Sequence, residues 1–450
     1  MRVLLIASRT SFHNRATPIF PLGLAYLGTY LERRGGVQVT LIDLNTATDP
    51  HAALRQALEG GPFPFIGVGW RNYTYYGLSR VDAFLQTVRE VKILSPESKI
   101  ICGGPAFSLF AKQMFALSPH IDFGVVGDGE KPLAAIVNGD YRQTPGVVFR
   151  DGPDGAVIEN PGLNPVDLDD LPLPRRDWPT LNLSAYELLN MQTSRGCDRK
   201  CGFCVRPRIN QSTITPYPRE RIQAEIEMLE AVGATGVFIV DPYVNRNKQQ
   251  IIELAGLFRK ATIPWWTGQF KPNVFDEEIA AAFVASRIKY PIFGIESGSR
   301  SYLPKVNGGF SYEDFQRTVR LCPAGLKPIF TFMIGMPNET MADTVATLMT
   351  LGGLALRGKR VVMEPYIDYP YSPFSNAERR DPATWDPQHV SVRSRFGRVF
   401  YAGLKLFTKI MSENVLSPFI SANKKAVAPN MEFVLPSQPK QSESTTSTWE

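Results

Sequence analysis

The sequence predicts an α/β protein of two units in tandem: a doubly wound domain over residues 1–140 and a partial (β/α)6 barrel over 187–380. Three observations predict it. Short apolar runs alternate with helical patterns in both halves, the mark of parallel sheets covered by helices. Between the halves, residues 141–186 lose that periodicity and gain proline, glycine and aspartate, which reads as a linker. Three of the five cysteines, Cys197, Cys201 and Cys204, fall within eight residues where the first strand of the second half ends.

In the first half, Arg2–Ala7 is an apolar run that reads as a buried parallel strand, and a polar loop leads to a helix over Leu22–Leu31. The strand signal returns at 37–42, 66–68, 100–102 and 123–126, with helical segments near 51–58, 77–92 and 107–117. Ligands of such sheets sit beyond the carboxyl ends of the strands. Two of the loops there are Gly103-Gly104-Pro105 and Gly127-Asp128-Gly129-Glu130. A third, at 69–76, carries Trp70, Arg71, Tyr73, Tyr75 and Tyr76, and so aromatic a loop either lines a flat ligand or fills its pocket.

In the second half, strands at 188–193, 237–240, 265–270, 291–295, 328–334 and 360–366 alternate with helices at 219–232, 249–259, 277–286, 312–321 and 341–351. Gly352-Gly353 is the expected stop of the last helix. This pattern places an active site at the carboxyl ends of the strands. Residues 381–435 form a helical region, with an amphipathic helix at 395–411, and 436–450 reads as a disordered Ser/Thr/Gln-rich tail.

A chain of 450 residues accommodates two domains, and 44% hydrophobic with 20% charged residues is a globular composition. The formal charge of +6 is spread without a basic block, which argues against nucleic acid as a partner. No apolar run reaches the roughly 18 residues of a membrane span, and the apolar N-terminal stretch is too short for a signal segment. Few cysteines and no leader predict reduced thiols and a cytoplasmic location.

Thiols as close as Cys197, Cys201 and Cys204 form a disulfide nest, a metal site or a cluster site, and a reducing compartment argues against disulfides. Zinc closes tetrahedrally with four N or S ligands. The other cysteines, Cys102 and Cys322, sit in unrelated patterns, and His13, His51, His120 and His389 are far away in sequence. Three thiolates suit a four-iron cluster with one iron left open for an exogenous ligand, since such clusters otherwise use four cysteines.

Cys197-x3-Cys201-x2-Cys204 at a strand end, with Phe203 before the last cysteine, resembles the signature of the radical S-adenosylmethionine (SAM) enzymes. The first half resembles the Rossmann-like, B12-binding-type domain that one subgroup carries ahead of its barrel. Phe20-Pro21-Leu22-Gly23-Leu24, the loops at 103–105 and 127–130, Leu168-Asp169-Asp170-Leu171-Pro172, Thr193-Ser194-Arg195-Gly196-Cys197 and Phe293-Gly294-Ile295-Glu296-Ser297-Gly298 all read like that subgroup. The resemblance implies that the three cysteines hold a [4Fe–4S] cluster whose open iron binds SAM. One electron, from a donor such as a flavodoxin or ferredoxin, then cleaves SAM to a 5′-deoxyadenosyl radical. The resemblance also implies a SAM contact at Glu296 and packing of Gly335 and Pro337 on the adenine. At Asp241 it implies either a hold on the SAM amino group or a turn-capping role.

Two enzymatic outcomes stay open, and with them the binding of cobalamin. In one, cobalamin carries a methyl group to an unactivated carbon. In the other, the first domain is a retained scaffold, and the radical alone dehydrates a vicinal diol, with a reductase acting downstream. Trp70 and Arg71 either press on a corrin or close a vestigial pocket. The Asp-x-His-x-x-Gly motif that gives one cobalamin class its histidine ligand is absent. Overall size and the short region after the barrel resemble the diol-dehydratases of apramycin-type aminoglycoside deoxygenation. Dehydration of an aminosugar-like small molecule in antibiotic biosynthesis is therefore the preferred expectation. Tyr217, Lys271, Glu364 and Asp368, at strand ends, are the candidates to hold such a substrate and assist loss of hydroxide. Glu364 and Asp368 equally suit the solvated face of an edge strand. The non-enzymatic alternative, an iron–sulfur electron carrier or redox sensor, needs neither a complete barrel nor a second domain.

Overall fold

The structure, a computed structural model, describes residues 1–9, 18–71, 81–152, 155–209, 212–306, 308–366, 369, 371–375 and 431–433. The first half runs β1 (Arg2–Ala7), α1 (Leu22–Arg33), β2 (Gln38–Asp43), α2 (Pro50–Glu59), β3 (Phe65–Gly69), α3 (Val81–Leu94), β4 (Lys99–Gly103), α4 (Pro105–Leu117), β5 (Phe123–Val125) and α5 (Glu130–Asn138). Two more strands follow, β6 (Val147–Arg150) and β7 (Val157–Glu159). The sheet order is β2-β1-β3-β4-β5-β6-β7. The first five strands are parallel, and β6 and β7 add to the edge antiparallel. The chain leaves β1 for β2 on one side and returns to β3 on the other, so the switch point of this doubly wound sheet lies between β1 and β3.

β6 and β7 lie within 141–186, the segment that the sequence reads as a linker. Their runs are only four and three residues long and are flanked by turn residues, so no period-2 signal survives in the sequence. Farther on, this segment is wedged between the two halves. Trp178 packs so closely on α1 that a Cβ at Gly28 would lie 2.7 Å from its ring. The Arg176 side chain has no exposure, and its Nη2 donates to Glu225 Oε1 (2.8 Å) and to the Asn190 carbonyl (2.7 Å). Phe20 lies 4.7 Å from the guanidinium. The Tyr26 hydroxyl donates to Glu225 Oε2 at 3.4 Å. Residues of both halves and the segment between thus share one buried charge pair. Removing one partner of such a pair strands the other charge, at a cost of roughly 3–5 kcal/mol. Glu225→Ala is therefore expected to lower the urea midpoint of unfolding by that equivalent, whereas an exposed glutamate such as Glu220 is expected to be neutral on the same measurement.

The second half runs β8 (Leu189–Met191), β9 (Ser194–Arg195), α6 (Arg206–Ile209), β10 (Thr215–Pro216), α7 (Arg219–Ala231), β11 (Val237–Ile239), α8 (Lys248–Lys260), β12 (Trp266–Phe270) and α9 (Glu277–Ala285). It continues with β13 (Ile292–Glu296), α10 (Leu303–Val306), α11 (Tyr312–Leu321), β14 (Ile329–Ile334), α12 (Met341–Leu356), β15 (Arg360–Pro365) and β16 (Met431–Phe433). The order β8-β11-β12-β13-β14-β15-β16 is parallel throughout, which gives six strands of a partial barrel and a seventh on its edge. β16 falls inside the region read as helical. The amphipathic helix at 395–411 and the tail at 436–450 lie outside the described residues. α12 continues through Gly352-Gly353 and ends at Leu356, with Arg357 as its cap before Gly358 at φ 70°. Burying Leu351 and Leu354 offsets the cost of two helical glycines, about 1 kcal/mol each. Among the described residues no helix is long and apolar enough to cross a membrane.

Candidate cofactor and active site

The cysteine loop leaves β8 through Thr193, Ser194 and Gly196, the last at φ 84°, a backbone region that favours glycine. Asp241, just past β11, fixes this exit. Its carboxylate accepts from Thr193 N (2.8 Å), Thr193 Oγ1 (2.6 Å) and Ser194 Oγ (2.7 Å), and it is 1% exposed. Burial pushes its carboxyl up from the ordinary range against these donors. Farther along the loop, Gly202 N donates to the Val306 carbonyl and Phe374 N to the Gly202 carbonyl, with the Phe374 ring 2.2 Å from where a Cβ at Gly202 would stand.

Cys197 and Cys201 are buried, Cys204 is half-buried, and all three are free thiols. Burial pushes the Cys201 thiol up to about 11, opposed by Lys271, and raises Cys204 against Arg206 and Lys271. Thiols so placed stay protonated until bound metal charge takes the proton's place. Among the described residues no three thiol, imidazole or carboxylate groups converge on a single ion. Three thiols on one loop fit a cluster, which takes one ligand at each iron. Neither spare cysteine completes them, because Cys102 lies in the core of the first sheet and Cys322 is buried just after α11.

The carboxyl ends of the two sheets face each other across a cavity of about 730 Å³. Gly67, Gly69, Gly103, Gly104, Gly127 and Gly129 line it from the first half together with apolar side chains such as Leu5, Leu24 and Leu27, a mostly apolar wall that suits a flat macrocycle. Arg195, Gly196, Phe203, Cys204, Arg206 and Gln269 line it from the barrel. The same space touches both the doubly wound sheet's ligand edge and a cluster cysteine.

Residues 191–351 match the model of the Radical SAM superfamily, and residues 9–137 match that of the B12 binding domain. The chain carries a radical SAM domain and, ahead of it, a B12-binding domain. An uncharacterized methyltransferase of Pyrococcus horikoshii is 24% identical over 341 residues, 73% of this chain and 72% of that protein. The anaerobic magnesium-protoporphyrin IX monomethyl ester cyclase of Rubrivivax gelatinosus is 25% identical over 371 residues, and the chain spans 64% of its length. The radical SAM methyltransferase TsrM of Kitasatospora setae, whose structure holds cobalamin and a [4Fe–4S] cluster, superposes with a TM-score of 0.69 at 23% identity, over 83% of this chain and 73% of TsrM.

A radical SAM domain implies a [4Fe–4S] cluster and SAM, and the donor set at Cys197, Cys201 and Cys204 fits the cluster. The glycine wall fits cobalamin. Around the cysteines stand the residues expected to meet SAM. Glu296 ends β13 at a bulge, is buried, and holds the left-handed φ of 70°, an uncommon strain for glutamate. Its Oε1 is 3.8 Å from Lys271 Nζ. Gly335, at φ 80°, starts a turn held by Glu339, whose Oε2 accepts from Gly335 N (2.6 Å) and Met336 N (3.1 Å), while the Tyr302 hydroxyl donates to the Pro337 carbonyl at 2.5 Å. Phe203 packs on the cluster of Tyr302, Val306, Met336 and Tyr366, which closes one side of the cysteine loop to water.

Of the four candidates for substrate chemistry, Lys271 and Glu364 both act on the charge of Glu296. Lys271 stands by Glu296, Glu364 is exposed on β15, and Asp368 lies outside the described residues. Tyr217 is drawn the other way: its hydroxyl accepts from Arg195 Nε at 3.2 Å, behind the cysteine loop, and it does not line the cavity. Trp70 is among the residues that line the cavity, yet it is fully buried with its ring stacked on Phe84 (5.1 Å, 15°). Arg71 also lines the cavity, and its Nη1 donates to the Ile19 carbonyl (3.1 Å). Tyr73, Tyr75 and Tyr76 lie outside the described residues.

Arg195 was not singled out by its sequence. Its Nη2 donates to Glu130 Oε1 at 2.6 Å and its Nη1 is 3.7 Å from Asp128 Oδ1, which ties the cysteine loop to the glycine-rich loop of the B12-binding domain. Burial lifts Asp128 to about 6, with Glu130 adding to the rise and Arg195 opposing it. The folded state therefore favours the protonated form. The stability this gives is full below about pH 4 and is lost as pH rises through about 6. Asp128→Asn, neutral throughout, is expected to gain about 3 kcal/mol over the parent at pH 7.5 and nothing at pH 4, as read by thermal melts of the metal-free protein.

Proposed function

We propose that this protein is a cobalamin-dependent radical SAM methyltransferase of a small-molecule substrate. The observation that carries the proposal is the single cavity joining the glycine wall of the B12-binding domain to Cys204 and Gln269 of the barrel. A vestigial domain has no reason to keep its ligand edge open toward the cluster. The names of the Pyrococcus protein and TsrM support the same outcome, and nothing supports the dehydration first expected. When bound, cluster and SAM supply radical generation, and cobalamin supplies a methyl carrier.

The chain's own part is to position these groups and exclude water. Asp241 straps the cysteine loop, Glu339 and Tyr302 hold the Gly335–Pro337 turn, and Arg195 keeps the two domains in register. An electron from a flavodoxin- or ferredoxin-type donor completes the scheme. Anaerobic reconstitution with cobalamin, followed by desalting, is expected to leave about one corrin per chain, seen in its absorption spectrum. A protein that keeps its cluster but washes free of corrin would overturn the proposal.

A further inference from the structure

The cysteine loop has an outer face as well as the inner one that meets the cavity. Asp198, Arg199 and Lys200 lie between two of the cysteines, so none is more than two positions from Cys197 or Cys201, and chain length alone keeps their backbone within about 7 Å of a ligand's. Alongside this face runs α10 and the turn after it. Gly202 N donates to the Val306 carbonyl at 3.1 Å, and a Cβ at Gly309 would collide with Arg199 Nη1. Lys305, the residue before Val306, therefore borders the loop, and both it and Lys200 are exposed. Gly308 is exposed too, with nothing within 4 Å of where its Cβ would stand, so the surface here is low and bare. The carboxylates of this face are engaged locally. Asp198 accepts from the Tyr243 hydroxyl (2.7 Å) and lies 3.5 Å from Arg199 Nε, and Glu313 pairs with Arg300 at 2.5 Å. Among the described residues Lys200 and Lys305 enter no ion pair, which leaves two ammonium groups turned to solvent at the edge of the cysteine loop.

We infer that this outer face, with Lys200 and Lys305 at its rim, is the docking surface for an acidic one-electron carrier protein. It rests on the cluster assignment above, since the inner side of the loop meets the cavity and the outer side is the one a second protein can reach. One electron leaves the carrier and enters the cluster, and no bond is made or broken. Exposed lysines steer an acidic partner and set its approach, an effect on rate that salt screens.

The test is stopped-flow oxidation of a reduced acidic flavodoxin by the anaerobically reconstituted full-length chain. The parent's second-order rate is expected to fall as salt is raised. Lys200→Glu and Lys305→Glu are each expected to slow it, together by about tenfold or more, and Lys200→Arg to stay near the parent. Lys305→Glu lies outside the ligand loop and keeps the test open should Lys200→Glu take up less iron. Lys260→Glu, an exposed change at the C-terminal end of α8 and so at the opposite end of the barrel, is expected to leave the rate near the parent's. With excess dithionite in place of flavodoxin, the Lys305 and Lys260 variants are expected to form as much 5′-deoxyadenosine as the parent, which separates docking from damage to the cluster. A parent rate indifferent to salt, a rate unmoved by Lys305→Glu and Lys200→Glu, or equal slowing by Lys260→Glu overturns the docking face. A parent that forms no 5′-deoxyadenosine even with dithionite fails the cluster assignment itself, which is a distinct result.

Discussion

Cys201→Ala, reconstituted anaerobically with iron and sulfide, is expected to lack the four-iron EPR signal and to form no 5′-deoxyadenosine from SAM above background. Cys201 is buried, and alanine is a small apolar replacement, so the fold is not at stake. The loop is held by others: Asp241 anchors its entry, and Val306 and Phe374 hold it at Gly202. Because no fourth cysteine stands by, three ligands are the minimum, and removing one removes the cluster. The metal-free variant should melt within a few degrees of the parent. Full cluster content with SAM cleavage in this variant would contradict the ligand assignment. An electron carrier or sensor, by contrast, would yield no 5′-deoxyadenosine even as the parent protein.

The second large effect concerns the first domain. Gly103 lines the cavity, and a Cβ there meets only Val125, at an ordinary 3.5 Å, so a side chain can be attached without breaking the sheet. Gly103→Trp is expected to abolish corrin retention and the cobalamin-dependent formation of S-adenosylhomocysteine, while the cluster's absorption and EPR persist. Gly104 offers no such control, because at φ 105° its Cβ would lie 2.4 Å from the Trp70 carbonyl oxygen. Corrin binding unchanged by Gly103→Trp would place the cofactor elsewhere.

Much of the fold was legible because its signals are local. The apolar runs at 2–7, 237–240 and 328–334 became strands within a residue or two, and the capping boxes at Ser311 and Thr340 start α11 and α12 where the pattern does. The cysteine triad was legible for the same reason. What failed depends on partners remote in sequence. β16 is a strand because β15 offers it an edge, and β6 and β7 because β5 does. Trp70 suits either a ligand platform or a pocket filler, and the rings that bury it, Phe84 and Phe110, come from α3 and α4. Asp241 was weighed between two roles, and its three donors come from residues 47 and 48 positions away. Glu225 and Arg176 carried no signal at all, because a buried charge reads as a surface charge until its counterion is found.

The guanidinium of Arg195 has a mechanical meaning beyond its energy. It sits two residues before the first cysteine and grips Glu130, at the head of the helix that closes the opposite wall. Two loops that line one cavity from opposite domains need a fixed spacing, and here the gauge that sets it is one planar, forked side chain. A lysine in its place would hold by a single flexible point, and the two halves would lose their common ruler.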